Sequence, residues 1–409
     1  MKLLHLSDLH LGRRIDNIPL IEDQKYILDR ILAIVKDEQP DCIIIAGDVY
    51  DRPVPPVDAV ELFDDFLVRL ADLKQQVFII AGNHDSAERL SFGGRLIDGS
   101  GIHFAPVYDG VCKPHVLQDE FGPVEIYLLP FIKPAHVRRF FEDEEIATYT
   151  DAMRVALENM LRDSANEDSG ARGGEAVGDK KVRRILVTHQ FVTGAALSDS
   201  EEITVGGTDN VDASVFDAFD YVALGHIHRP QDIGGGGRIR YCGTPLKYSF
   251  SEASHEKSVT VAELGAPAAS AGKTGDGSGK CGLSVRTVGL APLREMRELK
   301  GSYEEVTAKK FYDGTSYRED FVHITLTDEE DVPDAFAKLQ VIYRNLMKLS
   351  YDNRRTRHKA ESFDSGALPQ RTPEEHFGDF FLRQNGMELS QEQADFVKDL
   401  IEKVWGDAE

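Results

Sequence analysis

The chain has 409 residues, of which 41% are hydrophobic and 29% charged, values typical of a globular protein with two or three domains. The formal net charge of −23 excludes a protein that holds nucleic acid by its overall charge, so either the substrate is small or local positive charge and a partner overcome the repulsion. Four dispersed cysteines argue against a zinc knuckle or disulfide framework, and the absence of a signal-peptide or membrane-span pattern predicts a cytoplasmic protein.

The first predicted strand, residues 2–6, is apolar and is followed by a carboxylate and an imidazole two positions apart. These residues are Asp8 and His10. Open α/β sheets bind their ligands in the loops at the carboxyl ends of parallel strands, so both side chains are candidate metal ligands. Residues 21–36 then have apolar side chains at helical spacing.

The next two predicted strands repeat this pattern of a strand, a small residue and a polar ligand. Residues 42–46 form a continuous apolar run that precedes Gly47 and Asp48. Residues 77–81 precede Gly82 and Asn83. Such runs are typical of parallel strands buried on both faces, and the repetition predicts one site fed by several strand ends.

Residues 57–73 form a predicted helix that is apolar more than halfway round. One side can cover the sheet, and the other can meet a second subunit. Burial of the whole helix within one large domain is an equally good interpretation of this pattern alone.

Two further strands with polar residues at their ends are predicted later in the chain. Residues 185–188 end at His189, and residues 221–224 lead to His226 and His228. Five strand ends therefore contribute ligands to the predicted site.

Low-complexity stretches suggest the domain boundaries. Beyond them, strands are predicted near residues 283–288 and 321–326, with a helix over 332–349, which together make a small α+β module. The predicted organisation is a first domain over 1–265 with a flexible insertion at about 164–181, a linker over 266–281, a capping domain over 282–350, and a linker with two C-terminal helices over 351–409.

The two C-terminal helices are amphipathic and too short to form a core. Pro373 suits the first turn of one helix, and Ser390 with Gln393 forms a capping box for the other. These helices either dock on this chain or bind another one, and helix-in-groove binding fits the second interpretation.

The strand-end ligands together exceed the needs of one ion and suit two. A bridging carboxylate such as Asp48 is typical of two-metal sites with ions ~3.5–4 Å apart. Mixed imidazole, carboxylate and amide ligation favours Mn²⁺, Fe²⁺ or Zn²⁺ over Mg²⁺. The candidate ligands are Asp8, His10, Asp48, Asn83, His189, His226 and His228.

Such a site predicts hydrolysis of a phosphoester. Two cations screen the phosphate and lower the pKa of water towards ~7. His84 stands next to a ligand, so we assign it the role of general acid or oxyanion donor, and Asp51 is expected to orient it. Other histidines, such as His5 and His103, are interpreted as ordinary core or surface residues.

The chain resembles the calcineurin-like metallophosphoesterase superfamily in five motifs, which are D-L-H, G-D-V-Y-D, G-N-H-D, H-Q-F and G-H-I-H. Within this superfamily, the stretch G-T-P-L-K-Y-S-F-S-E at 243–252 resembles nuclease subunits of bacterial double-strand-break complexes. The resemblance implies an α/β fold, a four-layer αββα sandwich with a small capping domain and a C-terminal helix pair. It assigns one ion to Asp8, His10, Asp48 and His228, and the other to Asp48, Asn83, His189 and His226.

The resemblance also implies Mn²⁺-dependent exonuclease and endonuclease action on double-stranded and hairpin DNA. The implied partners are a coiled-coil ABC-type ATPase, bound by the C-terminal helices, and a second copy of this chain, bound through helices such as 57–73. Because the chain is acidic, we expect the ATPase to hold most of the duplex, with local contacts from Arg13, Arg14, Arg52, Lys247 and Tyr248.

Two rival functions remain at this point. A phosphatase or cyclic-nucleotide phosphodiesterase of the same superfamily would use the same ligands, but the helix pair and capping module disfavour it. A non-catalytic scaffold would usually lack ligands, and none is missing here.

Overall fold

A computed structural model describes most of the chain. The described residues are 1–16, 18–105, 107–171, 182–198, 209–267, 281–354, 356, 377–378, 380–382 and 388–406. Within these ranges no helix is both long and apolar enough to cross a membrane.

Seventeen strands and ten α-helices have both of their bounds in the described residues, and residues 377–378 and 380–382 are also helical. The strands are β1 (Lys2–Leu6), β2 (Arg14–Ile15), β3 (Ile18–Pro19), β4 (Cys42–Ala46), β5 (Gln76–Ile80), β6 (Ile102–Phe104), β7 (His115–Asp119), β8 (Gly122–Leu129), β9 (Arg183–His189), β10 (Tyr221–Gly225), β11 (Gln231–Ile233), β12 (Ile239–Tyr241), β13 (Ser258–Leu264), β14 (Leu283–Gly289), β15 (Met296–Gly301), β16 (Phe321–Leu326) and β17 (Asn345–Tyr351). The helices are α1 (Ile21–Glu38), α2 (Val57–Asp72), α3 (Ala87–Leu90), α4 (Gly94–Ile97), α5 (Pro134–Arg138), α6 (Tyr149–Ala171), α7 (Tyr303–Thr307), α8 (Lys309–Tyr312), α9 (Ala335–Gln340) and α10 (Gln391–Gly406).

Two six-stranded sheets form the centre of the molecule. The first has the order β14-β13-β1-β4-β5-β6, and the second has the order β11-β12-β10-β9-β8-β7. In the first sheet β1, β4 and β5 are parallel, and in the second sheet β8, β9 and β10 are parallel, so the carboxyl ends of these strands reach the same edge of their sheet. The polar loops of both sheets therefore meet on one side of the fold.

The sheets pack face to face and each carries helices on its outer face. Side chains such as Ile44 and Phe78 pack against Ile126 and Val187 between the sheets. On the outer face of the first sheet the core includes residues of α1 and α2, and on the outer face of the second it includes residues of α6. These layers confirm the predicted αββα sandwich. The continuous apolar run of β4 is buried at every position, as expected for a strand covered on both faces.

A separate parallel sheet of three strands, β15-β16-β17, has its own core and forms the C-terminal module. The predicted helix over 332–349 is wrong, because α9 ends at Gln340 and β17 pairs with β16. The spacing of Leu339, Tyr343 and Leu346 fits one helix, yet Leu339 is buried in α9, Tyr343 in the turn that follows it and Leu346 in β17. Short apolar runs are ambiguous in this way until a neighbouring strand selects one form.

The strand near residue 283 also differs from the prediction. β14 pairs along its whole length with β13, so it belongs to the first sheet and the three-stranded sheet begins at Met296. The expected start of the capping domain at residue 282 therefore lies within the sandwich. Helix α6 runs to Ala171, into the predicted insertion, whose remaining residues 172–181 lie outside the described residues, as does most of the linker.

The end of the chain contains the expected helices. Residues 377–378 and 380–382 are helical, and α10 follows, whereas Pro373 lies outside the described residues. The Ser390 backbone N–H donates to Gln393 Oε1 at 3.0 Å, and the Gln393 N–H donates to Ser390 Oγ at 3.3 Å. This reciprocal pair confirms the predicted capping box.

Candidate metal centre

The seven predicted ligands lie together between the carboxyl ends of strands from both sheets. The loops after β1, β4 and β5 contribute from the first sheet, and those after β9 and β10 from the second. Three groups of acidic and histidine side chains have ligand atoms within 4.8 Å of one another, and these overlap at shared members.

One side of the cluster contains two imidazoles that face each other. His10 Nε2 lies 3.1 Å from His228 Nε2. A carboxylate oxygen of Asp8 lies within 4.8 Å of a ring nitrogen of each histidine. Asp48 Oδ2 lies 3.8 Å from His10 Nε2. These four side chains are the set expected to hold one ion.

The other side of the cluster is built around Asn83. Its Oδ1 lies 3.0 Å from His189 Nε2 and 2.9 Å from His226 Nδ1. Asp48 Oδ2 lies 3.3 Å from His189 Nε2. Asp48 thus reaches both sides, as a bridging carboxylate must.

The backbone at these loops is held in an uncommon conformation. Asp8, His10, Asp48 and His226 have φ values of 52°, 43°, 48° and 101°, in the left-handed region that L-residues rarely adopt. Such strain persists where the surrounding structure enforces it, and it is concentrated at functional sites. Each loop therefore turns sharply enough to point its side chain into the cluster.

Steric crowding explains why glycine follows the strands at two positions. A Cβ atom on Gly82 would lie 2.1 Å from Asp48 Oδ1, and one on Gly225 would lie 1.9 Å from the Ala46 carbonyl oxygen. No side chain fits at either position. The glycines allow neighbouring strand ends to approach closely enough to share ligands.

Burial and the contact between Asp48 and His189 determine the ionisation of the cluster. Burial alone would raise the pKa of Asp48, but the charge of His189 and their hydrogen bond outweigh it and hold this pKa well below its usual range. For His189 burial opposes protonation, yet the Asp48 carboxylate raises its pKa to about 9. Burial raises the pKa of Asp8 to about 6 and lowers that of His226 to about 3.

Two family models match this chain. The model described as calcineurin-like phosphoesterase matches residues 1–230, which include all seven ligands. The chain belongs to the calcineurin-like phosphoesterase family. A second model, described as the type 5 capsule protein repressor C-terminal domain, matches residues 292–385, where the three-stranded sheet lies.

A relative and two solved structures can be compared with the chain. The SbcD subunit of the nuclease SbcCD from Staphylococcus epidermidis is 31% identical over 406 residues, which cover 98% of both chains. A dimetal phosphatase from Danio rerio covers 64% of this chain and 92% of its own at 13% identity, with a TM-score of 0.38. The Escherichia coli phosphoesterase Yfce covers 31% of this chain and 56% of its own at 18% identity, with a TM-score of 0.18.

The donor set fits the divalent ions that the calcineurin-like family implies. All ligand atoms are imidazole nitrogens, carboxylate oxygens or an amide oxygen, which suit hard or borderline cations, and no thiolate is present among them. Asp48 Oδ2 lies near imidazole nitrogens on both sides, and Asp8 also reaches the second side, where its carboxylate accepts from the His226 backbone N–H at 3.0 Å. The described residues are therefore sufficient to ligate two ions.

Several buried groups hold the ligands in place. His189 Nδ1 donates to the Ala46 carbonyl at 2.8 Å, which leaves Nε2 free to face the cluster. Gln24 Nε2 donates to the His10 carbonyl at 2.7 Å, and Tyr248 donates its hydroxyl proton to the Leu9 carbonyl. Sequence reasoning missed Gln24, because its role depends on the packing of α1 and not on any local pattern.

Asp85 is a second residue whose role was missed. Its carboxylate accepts from the backbone N–H groups of Val49 at 3.1 Å, Tyr50 at 2.9 Å and Gly82 at 3.0 Å. It thereby joins the loop after β4 to the loop after β5. Its place in the G-N-H-D motif was the available signal.

Glu252 supports His228 from the other side. Its Oε1 lies 3.5 Å from His228 Nδ1, and its Oε2 forms a buried ion pair of 2.5 Å with Lys257 Nζ. Burial would raise the pKa of Glu252, but His228 and Lys257 lower it to about 2. Lys257 also donates to the His228 carbonyl at 2.9 Å, so the pair fixes both ends of this ligand.

Replacing Glu252 by glutamine is expected to weaken metal binding by about 10–100-fold, the usual cost of losing a carboxylate that orients a metal-binding histidine. Calorimetric titration with Mn²⁺ measures the change, and circular dichroism confirms folding. Glu256→Gln, at an exposed position nearby, is the control. Unchanged affinity for Mn²⁺ in Glu252→Gln would show that Glu252 stabilises only its own loop and does not position His228.

His84 lies beside the cluster of candidate ligands, and Asp51 contacts it differently from the prediction. His84 Nε2 is 4.0 Å from Asp48 Oδ2, and its Nδ1 is 3.1 Å from the backbone carbonyl of Asp51. The Asp51 carboxylate instead pairs with Arg13 at 2.8 Å. Asp51 therefore orients His84 through its main chain. A ring nitrogen of His84 also lies within 4.8 Å of ligand atoms of His10 and Asp48.

The five predicted DNA contacts divide into two groups. Arg14 and Arg52 are exposed, and Arg13 lies at the rim over the Tyr248 ring. The other two assignments are wrong: Tyr248 is buried under the metal centre, and Lys247 donates to the Ala253 carbonyl at 2.8 Å and pairs with Glu295 at 2.7 Å. Sequence alone could not show that their polar atoms are used internally.

Proposed function

We propose that this chain is a metal-dependent DNA nuclease, with exonuclease action on double-stranded DNA and endonuclease action on single strands and hairpins. It would act as the nuclease subunit of an ATP-dependent SbcCD complex in DNA repair, recombination and replication. The observation that carries the proposal is the 31% identity to an SbcD subunit of the nuclease SbcCD over 98% of the chain. The complete ligand set supports catalysis and disfavours a non-catalytic scaffold.

The proposed reaction uses the residues of the metal centre in separate roles. Asp8, His10 and His228 would hold one divalent ion, Asn83, His189 and His226 the other, and Asp48 both; Mn²⁺ is the proposed ion. When bound, such ions neutralise phosphate charge and make water acidic enough to attack near neutral pH. His84 Nε2 would donate a proton to the leaving oxygen. Arg14 and Arg52 would contact the strand at the rim.

Cleavage of DNA tests this function directly. We expect digestion of a duplex with free ends and of a hairpin in the presence of Mn²⁺, and faster digestion when SbcC and ATP are added. A small phosphodiester is the comparison substrate. Rapid turnover of the small ester with no cleavage of either DNA would favour a phosphatase or cyclic-nucleotide phosphodiesterase instead.

The proposed contact with the ATPase SbcC uses the C-terminal helices. On α10, Phe396 is 66% exposed and Leu400 is also exposed, and Phe380 is exposed in the preceding helical segment. Apolar side chains presented in this way suit a helix that binds in a groove of another protein. Most of the duplex affinity would then come from SbcC, as the net charge of −23 suggests.

Removal of residues 373–409 is expected to abolish co-purification with SbcC while Mn²⁺-dependent cleavage by the isolated chain is retained. The reason is that the residues of this segment that the structure describes belong to neither sheet of the sandwich. Affinity purification of tagged SbcC measures the first effect and nicking of a plasmid the second. Continued co-purification would place the docking site elsewhere on the chain.

A second copy of this chain is the other proposed partner. Helix α2 buries Phe63 and Phe66 but exposes Val60, so it is not enclosed within one domain. Phe92 and Leu96, in the segment after β5, are 89% and 88% exposed. Large apolar side chains exposed to this extent are candidates for a protein interface.

Replacing Leu96 by glutamate is expected to convert a dimer into a monomer, because a charge would be buried in the apolar interface. Light scattering during size-exclusion chromatography gives the mass. Val341→Glu is a matched control, since Val341 is 79% exposed on the C-terminal module. An unchanged mass for Leu96→Glu would exclude this face as the interface.

A further inference from the structure

A cavity of about 380 Å³ opens beside the Asn83 edge of the metal centre. Asn83 and Gly82 form the wall that it shares with the cluster. The opposite wall comes from the loop after β8 and from α5, neither of which contributes a metal ligand. Its volume is at the lower end of the range for small-ligand pockets, so it suits a single compact ligand.

Three basic side chains line this cavity, although the chain is strongly acidic. They are Lys133, His136 and Arg139. Burial, together with the nearby charges of Lys133 and Arg139, lowers the pKa of His136. Lys133 and His136 are adjacent, because the Lys133 backbone N–H donates to His136 Nδ1 at 3.4 Å. Among the described residues no ion pair involves Lys133 or Arg139.

The acidic groups of the cavity are occupied elsewhere. The Asp85 carboxylate accepts its three backbone hydrogen bonds, and Glu88 accepts from the Ser86 hydroxyl at 3.0 Å. The charge of Glu88 lies near His136, but in the part of the chain that the structure describes neither acidic group forms an ion pair with Lys133 or Arg139. A ligand that brings negative charge would complete the site.

Aromatic rings form the rest of the lining. The Phe131 ring lies nearly parallel to that of His226, at 20° and 6.5 Å between centroids, and Tyr108 meets Phe140 edge to face at 5.8 Å. The Tyr108 hydroxyl is buried and has no hydrogen-bond partner among the described residues. Aromatic walls of this kind suit a heteroaromatic base, which stacks on them.

We propose that this cavity binds one unpaired nucleotide of the strand being cut, the nucleotide next to the scissile phosphate. Its base lies among Phe131, Tyr108 and Phe140, and its phosphate contacts Lys133 and Arg139. The proposal rests on the nuclease function proposed above and specifies its substrate. A base inside a duplex has to leave its stack to enter, so ends that fray or carry unpaired nucleotides are cut preferentially.

The test compares the unaltered protein with Arg139→Ala, using a single-stranded oligonucleotide and a small phosphodiester without a base. We expect the ratio of kcat/KM for the oligonucleotide to that for the small ester to fall about tenfold or more, mainly through KM. Arg138→Ala is the matched control, because Arg138 is exposed and does not line the cavity. Both substrates are assayed in Mn²⁺ without the ATPase.

A second measurement uses duplex ends. The unaltered protein is expected to prefer a frayed end over a fully paired end, and Arg139→Ala to lose that preference. An unchanged kcat/KM ratio together with an unchanged preference would overturn the cavity proposal while the nuclease function stands. Failure of the unaltered protein to cut any DNA would instead overturn the nuclease function itself.

Discussion

Replacing Asp48 by asparagine is expected to lower phosphodiester hydrolysis by about three orders of magnitude or more. Metal ions supply several kcal/mol of transition-state stabilisation, and each tenfold change in rate corresponds to roughly 1.4 kcal/mol. The Asp48 carboxylate lies beside imidazole ligands on both sides of the cluster. Its Oδ2 lies 3.3 Å from His189 Nε2 and 3.8 Å from His10 Nε2.

Asparagine keeps the size of the side chain and one acceptor oxygen. The hydrogen bond of 2.9 Å that the His84 backbone N–H donates to Oδ1 of residue 48 can therefore remain. The variant removes the negative charge that balances His189. Metal content by mass spectrometry after desalting, together with the rate of DNA cleavage, measures the effect. Asp72→Asn, at an exposed position at the end of α2, is the control. Two retained ions and a normal rate would contradict the bridging role.

The metal centre could be predicted because its signals are local in the sequence. Each parallel strand is a short apolar run, and each ligand follows it within a few residues, as at Asp8 and Asp48. The glycines next to these ligands were visible as small residues. The structure adds their physical reason, which is that a Cβ atom on Gly82 or Gly225 would overlap a neighbouring strand end.

The supports of the site could not be predicted because their contacts are distant in the sequence. Glu252 lies beside His228 only after the chain has passed through β12, and Gln24 reaches His10 from a helix. Tyr248 resembles a surface contact in the sequence but is buried. The same limit applies to the fold, since nothing local shows that β14 joins the first sheet or that β17 is a strand.

Replacing His84 by alanine is expected to lower kcat for DNA by about 10²–10⁴-fold, the usual contribution of a general acid. A carbonyl oxygen only accepts, so His84 Nδ1 donates to the Asp51 carbonyl and Nε2 faces the cluster. When both ring nitrogens carry protons, Nε2 can donate to the leaving oxygen. His84 is not needed to complete either proposed ligand set, so the variant should retain its two metal ions.

The leaving group distinguishes this role from a structural one. A nitrophenolate ion is stable without a proton, whereas the alkoxide of a deoxyribose is not, so His84→Ala should impair a nitrophenyl phosphodiester much less than DNA. His323→Ala, on the C-terminal module, is the control and should affect neither substrate. Equal losses on both substrates, accompanied by loss of one metal ion, would identify His84 as a metal ligand. That role is geometrically possible, because a ring nitrogen of His84 lies within 4.8 Å of the ligand atoms of His10 and Asp48. Retained ions with a selective loss on DNA would assign the proton transfer to His84 Nε2.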